Sequence, residues 1–352
     1  MTGASVGERT LDFGSGVIVA AGAAAGGKQE GAGPLGEFFD HLCDDSYFGQ
    51  TSWEGAETVL QQRCLHAACV KAGVEQAALR WVLSGDLQNQ CTSSAYAMRD
   101  VPVPHLGLYS ACATMGEALC LGAVLTAMSG GPVCAMTSSH FCVAERQFRT
   151  PLEYGCQRTP TSQWTVTGAG AVILRASGTG PALRFATFGR VVDAGIKDLS
   201  NMGAAMAPAA LDTLQAHFHD TGRSPADYDA VITGDLGRCG NEILADLLRR
   251  EGVEALSPVF TDCGMLIFDP EAQDVHAGGS GAGCSASVLA GHILRNMNEG
   301  VWNRVLFAPT GALMSPVTVQ QGESIPAVCH AVALENVPAP AERQEKETVS
   351  WN

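Results

Sequence analysis

Residues 107–122 read GLYSACATMGEALCLG, and residues 278–285 read GGSGAGCS before the run SASVLAGHIL. In each, a knot of tiny residues surrounds a cysteine, Cys112 or Cys284, and opens into an apolar helical pattern. Upstream of the two knots stand WVLSGDLQ (81–88) and AVITGDLG (230–237). Each has three apolar residues, a hydroxyl residue and Gly-Asp-Leu, which reads as a buried strand followed by a turn. Asp86 and Asp235 lie 149 positions apart, close to half the chain. Strand, turn and buried helix, stated twice, predict a duplicated α/β fold.

Further strands are expected at Trp81–Leu83, Val133–Met136 and 165–174, and a helix over roughly 54–72. The glycines of TVTGAGAVIL would let a neighbouring backbone come close. That stretch is no dinucleotide loop, because the third glycine of GxGxxG would fall on Ile173. No apolar stretch reaches 18 residues without a polar interruption, so no membrane span is expected.

Composition narrows the classes. The chain has 352 residues, 46% hydrophobic and 16% charged, with 41 glycines. That length suits two fused halves around small-residue interiors. The net charge of −15 and the lack of a basic stripe exclude nucleic acid as a partner. Thirteen cysteines without a CxxC pair read as reduced, buried thiols. No zinc spacing occurs. His217 and His219, at i and i+2 of a helix, face apart and read as surface residues.

Cys112 is the first candidate for chemistry. A thiol at a helix N-terminus meets the positive end of the macrodipole and unpaired N–H groups, which would lower its pKa and could hold an oxyanion. The alternative is a small buried thiol. Ala111, Ala113 and Gly116 would leave room beside the sulfur. A nucleophile needs a base, and His276 and then His140 are the candidates; a hydrogen-bonded structural role is open for both. Asp86 and Asp235 read as helix caps. Asp262 reads as a group that orients a histidine or a cation. Arg146 and Arg149 could fork onto carboxylates or lie on a solvated face.

The knot around Cys112, then GAGAVIL and GGSGAGCSASVLAGHIL, resembles the thiolase-like superfamily, with the chain-initiating ketoacyl synthases as the nearest enzymes. PLGEFFD (34–40), SWEGAE (52–57), SGDLQNQ (84–90), the long run 138–174 and QDVHAGGSGAGCSA (273–286) resemble the stage V sporulation protein AD family within it. The resemblance implies a five-layer α-β-α-β-α fold of two pseudo-duplicated halves. These would be residues 1–180, carrying Cys112, and 181–336, with residues 337–352 as a loose tail; residues 1–11 also read as a loose end.

It further implies a non-catalytic binding protein for dipicolinic acid (pyridine-2,6-dicarboxylate). Cys112, His140, Asp262, His276 and Ser280 would form the ligand site, with calcium entering as a co-ligand. No resident cofactor or metal is expected. The implied setting is uptake into the developing spore, as a homodimer at the cytoplasmic face of the spore inner membrane. The implied partners are other proteins of the same sporulation operon, membrane proteins among them. The enzymes' histidine falls on Gly234 and their asparagine on Ser280, so two of three catalytic roles stand vacant. The competing expectation is an acyltransferase or thiolase-type condensing enzyme using Cys112, with His276 as base.

Overall fold

A computed structural model describes residues 3–144, 158–253 and 259–336. The Arg146/Arg149 pair and the tail 337–352 lie outside them.

Ten strands carry the architecture. Five come first in the chain: β1 (Ile18–Gly27), β2 (Trp81–Gly85), β3 (His105–Gly107), β4 (Val133–Ser139) and β5 (Gly168–Arg175). They pair in the order β1-β5-β4-β2-β3, with β1–β5 and β5–β4 antiparallel and β4–β2 and β2–β3 parallel. The next five are β6 (Ala182–Thr187), β7 (Ala230–Gly234), β8 (Phe260–Asp262), β9 (Arg304–Ala312) and β10 (Ala331–Glu335). Their order, β6-β10-β9-β7-β8, repeats the same antiparallel and parallel pattern. One residue pair, Ala182 with Ile18, joins the two sets edge to edge.

The helices complete the layers. α1 (Trp53–Ala72) and α2 (Thr92–Met98) cover the outer face of the first set. α1 starts at Ser52, whose hydroxyl accepts from the Gly55 N–H, and stops at Gly73 in the left-handed region. α3 (Thr114–Ser129) packs against strands of both sets. After α4 (Met202–Thr221), α5 (Gly237–Arg250) and the single turn α6 (Cys263–Leu266) comes α7 (Ala282–Ser287). α7 runs on through a π turn to Asn298 and lies in the central layer beside α3. α4 packs on strands of the second set and pairs with α5.

Ala111–Ser129 is, by length and composition, apolar enough to cross a membrane. Its apolarity is used inside the protein: Met115, Leu119, Cys120 and Ala123 are fully buried between the strand sets. An all-round apolar helix is what a central layer requires. The glycines in this layer set the spacing. A Cβ on Gly116 would stand 2.8 Å from Pro309 Cγ, and one on Gly283 2.8 Å from the Ser139 nitrogen. Gly116 therefore admits a strand and does not leave room beside the Cys112 sulfur, as its place in the knot suggested.

Two other expectations change. His217 is fully buried, with Nδ1 2.8 Å from Thr187 Oγ1 and Nε2 2.6 Å from the Tyr228 hydroxyl. Burial pushes its pKa down to about 3. Only His219 is a surface residue; the i, i+2 argument correctly set them on different faces but could not say that one face is core. The N-terminal stretch from Gly3 is tied down. Arg9 pairs with Asp212 at 2.7 Å, and the Arg9 N–H and Thr10 hydroxyl donate to Asp220.

Candidate functional site

The site is built where the knot of residues 109–114 meets the end of β9 and the start of α7. Ala111 has φ +50°, a left-handed conformation uncommon for a residue with a side chain. Thr114 fixes it: its hydroxyl accepts from the Ser110 N–H at 3.0 Å and donates to the Ala111 carbonyl at 2.6 Å. Ser110 in turn donates to Glu117 at 2.7 Å. Gly311 of β9 lies directly beneath, where a Cβ would come within 2.8 Å of the Ala113 nitrogen and overlap the Ser110 carbonyl. This turn presents Cys112 to a cavity. Tyr109, Ala111, Cys112, Ser280, Met202 and Met314 are among its lining, with Leu87, Ala144, Thr165 and Ala312. None of these described lining residues is charged.

Behind the cavity lies a residue that the sequence reading placed elsewhere. Asp235 follows β7, has φ +71°, and is fully buried. Its carboxyl faces the thiols of Cys112 and Cys284 and the Gly281 N–H. Neither oxygen has a partner of ordinary hydrogen-bond geometry among the described residues. The Asp235 carbonyl is held by Gln163 Nε2 at 2.6 Å. Burial, joined by the negative charge of Asp262, drives the Asp235 pKa well above the usual carboxylate range.

The same neighbourhood reverses the expectation for Cys112. Gly281 N–H and Cys112's own N–H point at the sulfur and favour the thiolate, as a helix-start site should. Burial, and after it the Asp235 carboxyl, outweigh them and push the thiol pKa well up. The N–H groups of Ala113 and Thr114 are already bonded to the Ser110 and Ala111 carbonyls. The surroundings of Cys112 favour the thiol over the thiolate.

Of the five residues expected at a ligand site, the structure brings Cys112 and Ser280 onto one cavity and sets the other three apart. His140 is buried, with Nε2 2.8 Å from the Ser46 carbonyl and Nδ1 accepting the Cys142 N–H at 3.1 Å. Both ring nitrogens are engaged, and burial lowers its pKa. His276, at φ +53°, lines a separate cavity with Arg238, Met265 and Phe268. Its Nε2 lies 3.4 Å from Asp274 Oδ1. It is not the base for Cys112.

Among the described residues, Asp262 has backbone N–H groups and a hydroxyl as its hydrogen-bond partners, not a histidine. It accepts from Thr233 Oγ1 at 2.8 Å and from the N–H groups of Leu236, Gly237 and Gly264 at 3.0, 2.9 and 2.9 Å. It therefore caps α5 and α6 together. Burial raises its pKa to about 6, against the pull of those donors. At Gly234, a Cβ would stand 2.8 Å from Ser285 Cβ and 3.2 Å from Pro309. An imidazole has no room there. Asp235, the next residue, is what reaches the thiol, and the Gly-Asp doublet was the signal in the sequence that marked it.

Comparison with known proteins follows the same lines. A family model described as "Stage V sporulation protein AD (SpoVAD)" matches residues 7–335. Stage V sporulation protein AD of Bacillus subtilis (strain 168) is 42% identical over 335 residues, covering 94% of this chain and 97% of that protein. Two solved structures give the fold. The 3-oxoacyl-[acyl-carrier-protein] synthase III of Aquifex aeolicus VF5 aligns over 91% of this chain and 100% of its own, at TM-score 0.56 and 11% identity. Human mitochondrial 3-ketoacyl-CoA thiolase aligns over 95% and 100%, at TM-score 0.58 and 12% identity. The fold is thiolase-like.

Proposed function

The chain belongs to the stage V sporulation protein AD family, and from that premise we propose that it is a dipicolinate-binding protein of sporulation, a receptor on an enzyme fold. The observation that carries this reading is the state of Cys112. It opens onto a cavity lined by uncharged residues, with a carboxyl group behind it where turnover would need a base. Acyl transfer needs a thiolate or a group that makes one. A closed-off carboxyl beside a buried thiol opposes that ionisation.

The ligand's pyridine ring would lie against Tyr109, Met202 and Met314. Ser280 and Tyr109 hydroxyls and the Cys112 thiol would donate to its carboxylates. A dianion in an uncharged cavity of a protein carrying −15 is costly. Calcium offsets that cost as the ligand's own counter-ion, since carboxylate oxygens suit it. The described residues offer no cluster of three or more His, Cys, Asp or Glu able to hold a metal, so calcium would enter with the dicarboxylate. Uptake into the spore, homodimer formation, and work at the inner membrane beside membrane proteins of the same operon belong to the same reading.

Isothermal titration with dipicolinate, with and without calcium, tests it on the wild type and on Cys112→Ala. Saturable binding that Cys112→Ala weakens supports the proposal; unchanged affinity moves the ligand to another cavity. Incubation with acyl-coenzyme A and intact-mass measurement tests the competing reading. A stable acyl adduct on Cys112 would make this a condensing enzyme.

A further inference from the structure

We propose that Gln88 is a positioning residue of the Cys112 cavity: gripped by Glu57, it holds the strained loop 86–91 so that Leu87 stands in the cavity wall. This role rests on the reading of that cavity as the ligand site, and it names what shapes the site.

The loop joins β2 to α2 and carries most of the motif SGDLQNQ. Two successive residues at its end, Gln90 and Cys91, have φ +60° and +51°. Neither is glycine. Left-handed residues with side chains are strained and persist only where their surroundings hold them. Cys91 Sγ donates to the Leu108 carbonyl at 3.2 Å, so the strained end of the loop also leans on the stretch that leads to Tyr109 and Cys112.

A buried polar network holds the loop, with Gln88 at its centre. The Gln88 N–H donates to Asp86 Oδ1 at 2.9 Å. Its Nε2 donates to Glu57 Oε2 of α1 at 2.8 Å and to the Ser93 hydroxyl. Glu57 Oε1 accepts from the Ser138 hydroxyl of β4 at 2.8 Å. Gln61 Nε2 donates to Ser138 and Ser94 at 2.7 and 3.0 Å, and Ser94 donates to Asp86. Every member is buried. Such a network fixes geometry, because any group that moves leaves a buried polar partner unsatisfied. It pins Asp86 and Gln88, and Leu87 between them turns to the cavity instead.

Glu57 takes part as a neutral group. Among the described residues, neither Glu57 nor Asp86 has a lysine, arginine or histidine as a hydrogen-bond partner. Two buried anions without a cation are costly, so one carboxyl keeps its proton. Asp86 accepts from the Gln88 N–H and from the Ser94 N–H and hydroxyl, and is the better stabilised anion. Burial, and then the charge of Asp86, raise Glu57 to about 8. A glutamine at position 57 can then copy it, with a carbonyl for the Gln88 amide and an N–H for Ser138.

Two measurements on the folded full-length chain test this. The first reads the loop without any ligand. It is the rate at which iodoacetamide alkylates Cys91, followed in the tryptic peptide 81–99, where Cys91 is the only cysteine. Gln88→Ala should react about threefold faster or more, as a locally opened loop does. Gln88→Met, which keeps the length without the amide, should do the same and decides if Gln88→Ala does not fold. Leu87→Ala and Glu57→Gln should keep the wild-type rate. The second is titration calorimetry with dipicolinate. Leu87→Ala and Gln88→Met should each weaken binding about tenfold, as loss of one apolar contact does, and Glu57→Gln should bind as the wild type does. Because Gln88 acts through Leu87, the double variant should bind no more weakly than the weaker single variant. A merely structural Gln88 would leave the affinity of the folded chain unchanged. That result overturns the proposal, as does a wild-type Cys91 rate in Gln88→Met, a fast rate in Glu57→Gln, or a double variant whose losses multiply. If the wild type binds no dipicolinate, the receptor reading falls, and the Cys91 rates alone decide whether Gln88 holds the loop.

Discussion

Asp86 and Asp235 follow matching strands, yet only Asp86 caps the helix beyond its strand. Asp86 accepts from the Ser94 N–H and hydroxyl at 2.8 and 2.7 Å and from the Gln88 N–H at 2.9 Å, which fixes the start of α2. In the second half that task falls to Asp262, which reaches across from β8 to the N–H groups of Leu236 and Gly237. Asp235 is thereby released to face Cys112.

Asp262 should accordingly dominate local stability. Asp262→Ala would leave three buried N–H groups without an acceptor and Thr233 Oγ1 with the Thr261 carbonyl at 3.2 Å alone. The expected loss is on the order of 3 kcal/mol or more, read as a shifted urea midpoint. A loss below about 1 kcal/mol would mean that other acceptors replace it.

Gly234→His should not restore an enzyme. The new Cβ would press on Ser285 and Pro309, and overpacking of this kind costs about 1–3 kcal/mol. Thermal denaturation should show the loss. Intact mass after acyl-coenzyme A should show no adduct on Cys112; an adduct would mean that the site still accommodates catalysis.

Ligand affinity should separate the two cavities. Ser280→Phe fills the space beside Cys112 and should abolish dipicolinate binding. His276→Ala, on the other cavity, should leave affinity within about twofold, the effect of a remote surface change. Titration calorimetry reads both, and a large loss in His276→Ala would relocate the ligand.

Stability should fall as pH rises above 6.5. Burial raises the Glu30 pKa to about 7, and burial, with the charge of Asp86, raises Glu57 to about 8. The folded state then keeps protons that the unfolded chain releases. This stability is complete below the ordinary glutamate value and is lost as pH climbs through 7 and 8, by up to about 1.4 kcal/mol per unit and group. Buried His217 and His330, pushed down to about 3 and about 4, act in the opposite sense. They cost stability only as pH falls below the ordinary histidine value, and between that value and the ordinary glutamate value they offset the carboxyls, so the net decline shows above about pH 6.5. Melting temperature between pH 6.5 and 8.5 should therefore decrease, and Glu57→Gln should flatten the decline. A melting temperature that rises over that range would show that these carboxyls are not buried in solution.

Much of the architecture could be read in advance because it rests on local pattern. The two Gly-Asp strands, the two small-residue knots and the apolar helices after them are short-range signals. They placed β2, β4, β7, α3 and α7, and with them the duplication and the position of Cys112 at a cavity. The resemblance also implied that Gly234 and Ser280 stand where a condensing enzyme carries histidine and asparagine.

Tertiary structure decided which polar side chains meet. His140, Asp262 and His276 are sound candidates by residue type, but their partners are set by backbone groups far away in the chain. The Ser46 carbonyl satisfies His140, and three N–H groups satisfy Asp262. The surroundings of Cys112 likewise come from far along the chain: burial and then Asp235, 123 positions away, raise its thiol pKa. Local periodicity determines which face of an element is buried. The charge state of a buried group depends on everything packed against it, and that is a property of the assembled interior.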